Sequence, residues 1–192
     1  MAGYRLMKFQ NKYRTTTTRL KYWNSANPGM YFVTICTKNR VEWFGTVKDG
    51  KMILNEMGKI VKEEWIKTGE LRKNIKVDEF IIMPNHVHGI ICINLGNDHV
   101  ESYSNATLHQ TEYKNKFDPQ VNNLSLIIRG FKGAVTRLIR KQQNQKFAWQ
   151  SRFYDHIIRN DQSLERIQTY ILSNPINWPK NKNIIDEDKN LF

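Results

Sequence analysis

One stretch, Phe80 to Ile93, constrains this chain's fold more than any other. It reads Phe80-Ile81-Ile82-Met83-Pro84-Asn85-His86-Val87-His88-Gly89-Ile90-Ile91-Cys92-Ile93. Two apolar runs of strand length flank a polar break. Pro84 and Asn85 are turn residues, so the runs pair as an antiparallel hairpin. The run Ile90 to Ile93 is apolar on both faces, which places it in the buried middle of a sheet. In a strand, residues i and i+2 share a face. His86 and His88 therefore stand side by side, and Val87 points to the other face. Two neutral imidazoles on one face can hold a divalent cation. They can equally be polar residues on a solvated face, and a third ligand has to come from elsewhere in the chain.

The rest of the chain supplies partners for this hairpin. Tyr31 to Thr37 is a strand, set off by the turn Asn27-Pro28-Gly29. Trp43 and Phe44 mark a short extended piece, ending at the turn Lys48-Asp49-Gly50. Residues 53 to 68 read as a helix with Ile53, Leu54, Met57, Ile60, Val61 and Trp65 on its apolar stripe; Gly69 lies at or just beyond its stop. Ile75 to Met83 and His86 to Ile93 form the hairpin. Residues 124 to 142 are a second helix, capped by Asn123, with Leu124, Ile127, Ile128, Phe131, Val135, Leu138 and Ile139 inward. Phe153 to Ile158 is a further strand. Asp161 caps a third helix, which Asn174-Pro175 ends. The expected class is α+β: a split βαβ (ferredoxin-like) four-stranded antiparallel sheet, two helices on one face, and a last helix available to the other.

Charge narrows the partner. The chain has 30 Lys and Arg against 18 Asp and Glu, a formal net charge of +12. Such an excess suits nucleic acid. Arg129, Lys132, Arg137 and Arg140 lie on the outward side of the second helix, and Arg152 and Arg159 flank the last strand. Gly130 and Gly133 in that helix suit close packing or close approach of a ligand. The mix of Phe147, Trp149, Phe153 and Tyr154 suits either base stacking or core. No apolar run nears the roughly 18 residues of a membrane span, so no membrane partner is expected. Cys36 and Cys92 lie in apolar runs and read as buried thiols of a cytoplasmic protein. Residues 1–26 form a basic arm, 27–178 the working domain with a polar, partly disordered loop at 94–123, and 179–192 a polar tail.

Three segments together carry a resemblance: Met83-Pro84-Asn85-His86-Val87-His88-Gly89, then Trp149-Gln150-Ser151-Arg152-Phe153-Tyr154-Asp155-His156-Ile157-Ile158-Arg159, then Tyr170-Ile171-Leu172-Ser173-Asn174-Pro175. In this order and spacing they resemble the IS200-like tyrosine transposases, most closely the REP-associated ones. The resemblance spans residues 27 to 178. It implies cleavage of single-stranded DNA beside hairpins or palindromic repeats through a 5'-phosphotyrosyl intermediate. It implies Tyr170 as nucleophile, with His86, His88 and Asn174 holding Mg2+ or Mn2+, in a monomer or a homodimer. The alternative is a non-catalytic hairpin-binding protein of the same fold. By spacing alone Tyr170 is a half-buried helix residue, and Asn174 is a helix end before a proline. As i and i+4 on a helix, the two share a face. His156 is a further candidate for phosphate contact.

Overall fold

The computed structural model describes residues 28–94, 123–142 and 145–181, with two short paired strands, β1 (Lys8–Phe9) and β2 (Lys12–Tyr13). The remainder of the basic arm, most of the loop expected at 94–123, and the tail beyond 181 lie outside the described residues. The other elements are β3 (Gly29–Cys36), β4 (Gly45–Lys48), β5 (Lys51–Leu54), α1 (Glu56–Glu70), β6 (Ile75–Met83), β7 (His86–Ile93), α2 (Leu124–Lys141), β8 (Tyr154–Ile158) and α3 (Asp161–Asn181). The fold is α+β, with a four-stranded sheet in the order β6-β7-β3-β8 and every neighbouring pair antiparallel.

Strand β7 is buried from end to end. Its alternation divides the core in two. Val87, Ile91 and Ile93 join Tyr31, Val33 and Ile35 of β3 under α1 and α2. Ile90 and Cys92 join Phe32 of β3, Ile158 of β8, and Ile167 and Ile171 of α3 on the opposite face. The expected arrangement of two helices on one face and the last on the other is observed. Phe147 and Trp149 pack with Trp43, Phe44 and Phe131 in the first core, so their rings serve packing.

Beyond shifts of one or two residues, among them α1 running through Gly69 to Glu70, four differences from the sequence reading matter. The first helix starts at Glu56, and residues 51–54 form β5, paired with β4. Asp49 (φ 51°) and Gly50 (φ 68°) are both left-handed, the two-residue loop that matches strand twist. Asn55 then caps α1, its side chain accepting from the Gly58 amide at 2.9 Å. This leaves Ile53 exposed on the hairpin. The extended piece is Gly45–Lys48; the Trp43 and Phe44 amides both donate to the Pro84 carbonyl. Asn160, one residue before the expected cap, accepts from the Ser163 amide at 2.8 Å and starts α3. Finally, Pro175 does not end α3, which runs on to Asn181. A mid-helix proline costs about 3 kcal/mol. The buried Pro175 and Trp178 recover that cost on the sheet.

Gly89 shows how tightly α1 is laid down. A Cβ there would clash with the Trp65 indole, approaching Cε2 to 2.9 Å, and would stand 3.1 Å from the Phe80 Cβ. Phe80 enters this contact just after a bulge between Val77 and Phe80, which re-aims β6. Gly89→Ala is expected to destabilise the protein by about 1–3 kcal/mol through overpacking, measured by denaturant unfolding.

Candidate active site

The histidine pair lies on the face that α3 covers. The two rings stand 4.5 Å apart, and their side chains are almost fully buried. Each is held through Nδ1. For His86 the partner is Asn85 Oδ1, at 2.7 Å. Asn85 in turn donates from Nδ2 to the Arg40 carbonyl at 3.1 Å, which fixes the amide with its oxygen toward His86. The His86 Nδ1 is therefore the donor to Asn85, and in the neutral ring Nε2 is the nitrogen with the lone pair. For His88 the partner is Thr34 Oγ1, at 2.9 Å, directly across the β3–β7 pair. Phe32 stacks on the other side of His88.

Helix α3 brings three residues over these rings, one turn apart. The Tyr170 hydroxyl is 3.5 Å from His88 Nε2, and the rings are 5.3 Å apart. The Trp178 ring lies 5.8 Å from the His86 ring. Asn174 sits between them on the same helix face, four residues from each. It is 2% exposed, and its Oδ1 finds no hydrogen-bond donor among the described residues. A buried amide oxygen without a partner is costly. A buried one on the face of a helix that covers two imidazoles fits a cation ligand. No group of three His, Cys, Asp or Glu side chains among the described residues can hold a metal. The candidate set is therefore two imidazoles and an amide, without a carboxylate.

Helix α3 is fixed at its other edge as well: Gln168 Nε2 donates to Asp78 Oδ2 at 3.0 Å, in the bulge of β6. The sequence reading missed Thr34, Asn85 and Trp178 as neighbours of the histidines. Thr34 becomes visible only through strand register. Asn85 read as a turn residue alone, and Trp178 lies beyond the proline taken as the helix end.

No family profile matches the chain. A protein of Haemophilus influenzae, itself uncharacterized, is 38% identical over 170 residues, covering 88% of this chain and 92% of that one. The chain belongs to that protein's family. Among solved structures, a REP-associated tyrosine transposase bound to a REP hairpin matches with a TM-score of 0.54 at 19% identity. The match covers 85% of this chain and 74% of that one, and the likeness is one of fold.

In this member of the family, the expected phosphate-contacting cations do not gather at the histidines. α2 packs in the core on the opposite face of the sheet. Arg129 and Arg137 are exposed beside Gly130 and Gly133 on its outer side. Lys132 donates to the Gln150 and Arg152 carbonyls, and Arg140 to that of Phe147. Burial lowers the Lys132 pKa. Gly133 has open space where a Cβ would stand, so packing does not require glycine there. Arg152 and Arg159 are exposed at the two ends of β8. His156 pairs across from Phe32, on the α3 face. Burial, then Arg159, lowers its pKa to about 4.

His88 is pushed down to about 3, by burial first and then by the charge of Arg40. In the unfolded chain an imidazole titrates near 6.5. Between the two values the unfolded chain binds the extra proton. Stability from His88 is therefore complete above about pH 6.5 and falls as pH drops toward 3, by at most about 1.4 kcal/mol per unit. In denaturant unfolding near pH 7 and near pH 5, the wild type is expected to lose more stability on acidification than His88→Leu does. Asn174→Leu removes the unpaired amide oxygen at similar volume. In EDTA it is expected to raise stability by about 1–2 kcal/mol, read by the same unfolding experiment.

Proposed function

We propose that the protein is a metal-dependent single-strand DNA endonuclease and strand transferase, acting beside hairpins or palindromic repeats, of the REP-associated tyrosine transposase type. The observation that carries this reading is the face of α3. It sets a tyrosine hydroxyl at His88 and an unpaired amide oxygen one turn on, over two imidazoles whose Nδ1 atoms are both engaged. We read the strand order β6-β7-β3-β8 and the succession β3, α1, β6, β7, α2, β8 as the split βαβ arrangement. The net charge of +12 suits the substrate.

His86, His88 and Asn174 would hold Mg2+ or Mn2+, the nitrogen donors favouring Mn2+. Bound there, the cation supplies Lewis-acid charge and orientation at the scissile phosphate. Tyr170 is the nucleophile. Its Oη forms a bond to phosphorus as the bond from phosphorus to the 3'-oxygen breaks. The phenol proton passes to solvent, and the departing oxygen takes one up as a 3'-hydroxyl. The phosphotyrosyl ester keeps the energy of the broken bond, so a 3'-hydroxyl can attack it and rejoin or transfer the strand. Phenol is a weak nucleophile at its pKa near 10, so positioning carries much of the rate. Packing supplies it: the Tyr170 ring stands edge-on to both Phe32 and His88. Tyr170 lies at the histidine pair of its own chain, which supports the monomer over the homodimer.

The test is a denaturing gel of protein incubated with labelled hairpin oligonucleotides from DNA flanking the gene, with Mn2+ or EDTA. The expected result is a metal-dependent protein–DNA adduct, absent from Tyr170→Phe and reduced by at least about 100-fold in His86→Ala. Tight, metal-independent binding without any adduct would assign a non-catalytic hairpin-binding role instead.

A further inference from the structure

The candidate site is held by neutral ligands, yet one unpaired cation stands beside it. Arg40 follows β3 in a loop stapled to the turn that precedes His86. The Thr37 amide and hydroxyl both donate to the Asn85 carbonyl, at 2.9 and 3.0 Å. The Trp43 and Phe44 amides donate to the Pro84 carbonyl at 2.8 and 3.0 Å. Between these staples, the Arg40 carbonyl accepts from Asn85 Nδ2, and Asn85 Oδ1 accepts from His86. The Arg40 backbone is therefore linked to the His86 ring through a single side chain.

Two features mark Arg40 out within that loop. Asn39 and Arg40 both sit at φ 56°, in the left-handed region where a residue with a Cβ is strained. Glycine would relieve the strain, and arginine occupies the position instead. Arg40 is half-buried, and its guanidinium makes no hydrogen bond or ion pair among the described residues.

An unpaired guanidinium carried on a backbone held next to the site adds positive charge to the pocket. Among the described residues no carboxylate joins the two histidines in a metal-holding group. The group that fits is an anion with paired oxygens, which the guanidinium fork matches in two hydrogen bonds. We propose that Arg40 binds the backbone phosphate of the single strand at this site, contacting the non-bridging oxygens of the phosphate presented to Tyr170. The inference rests on the strand-cleavage reading for the identity of the strand and deepens it by naming the protein group that receives the phosphate. The charge of Arg40 would also be added to that of the metal as negative charge builds on the equatorial oxygens.

The experiment reads binding without chemistry. Affinity for a labelled oligothymidylate is measured in EDTA by anisotropy over a range of salt concentrations. Each phosphate contact on a single strand contributes about 0.7 to the slope of log K against log salt. Arg40→Gln is expected to lower the slope by about 0.7. Arg40→Lys, which keeps the charge and the same backbone strain, is expected to keep the slope. Lys62→Gln, on the exposed side of α1, is the control and is expected to leave it unchanged. An unchanged slope in Arg40→Gln would overturn the proposal, and so would a loss shared by Arg40→Lys. The two readings fail separately. A lowered slope in Arg40→Gln with no adduct from wild type would sink strand cleavage and keep the phosphate contact. An adduct from wild type with an unchanged slope would sink Arg40 alone.

Discussion

Strand β7 is buried on both faces along its whole length, and the rest of the structure is arranged to make that possible. A strand that presents Val87, Ile91 and Ile93 to one side and Ile90 and Cys92 to the other needs cover twice. α1 and α2 provide the first cover, with Trp65 laid flat enough on the sheet that Gly89 can carry no side chain. α3 provides the second. The two histidines share the face of Ile90 and Cys92, so the helix that completes the core lies directly over them. The burial that stabilises the sheet is thus the same event that assembles the candidate site. Ile167 and Ile171 are fully buried, which leaves little freedom for Tyr170 between them.

The site's electrostatics follow from its ligand types. An amide carries no charge, and burial keeps His88 neutral at any ordinary pH. Such a set binds a divalent cation weakly by itself, because no negative charge offsets the cation's loss of water. Arg40 adds a positive charge to the same neighbourhood. Under the proposed function, a strand phosphate bound there would offset both positive charges. By linkage, cation and strand would then strengthen one another's binding. In this scheme the substrate is a structural part of the centre, which is consistent with a buried amide oxygen that has no partner in its absence.

Much of this was legible in the sequence, and the unreadable parts share a physical cause. The alternation of β7 was readable because period-two patterning is local. The stripes of α1 and α2 were readable for the same reason, as was the cap at Asn123, whose side chain accepts from the Leu126 amide. The start of α1 was misplaced because Ile53 and Leu54 fit a helical stripe, while the Asp49-Gly50 loop and the Asn55 cap favoured a hairpin followed by a helix. The end of α3 was misplaced for a different reason. A local rule about proline was overridden by the burial of Pro175 and Trp178, which depends on a sheet distant in sequence. The partners of the histidines were hidden in the same way. Thr34 lies 54 residues from His88, and only register brings them together. The sequence placed α2 on the face opposite α3, as observed, and its cations outward, though Lys132 turns in to the Gln150 and Arg152 carbonyls.

The continuation of α3 past Pro175 bears on the chemistry as well as on the fold. Had the helix ended there, Asn174 would be a fraying terminus, and nothing would hold the helix over His86. With Trp178 packed against His86 and Tyr170 against His88, the helix is anchored on both sides of Asn174. Proline at 175 frees the Ile171 carbonyl from its usual intrahelical donor, a local cost. The structure tolerates that cost because the anchors are tertiary. A candidate ligand is thereby fixed in the middle of a docked segment, where its orientation is set by contacts four residues away in each direction. That kind of preorganisation suits a group whose function depends on where its oxygen points.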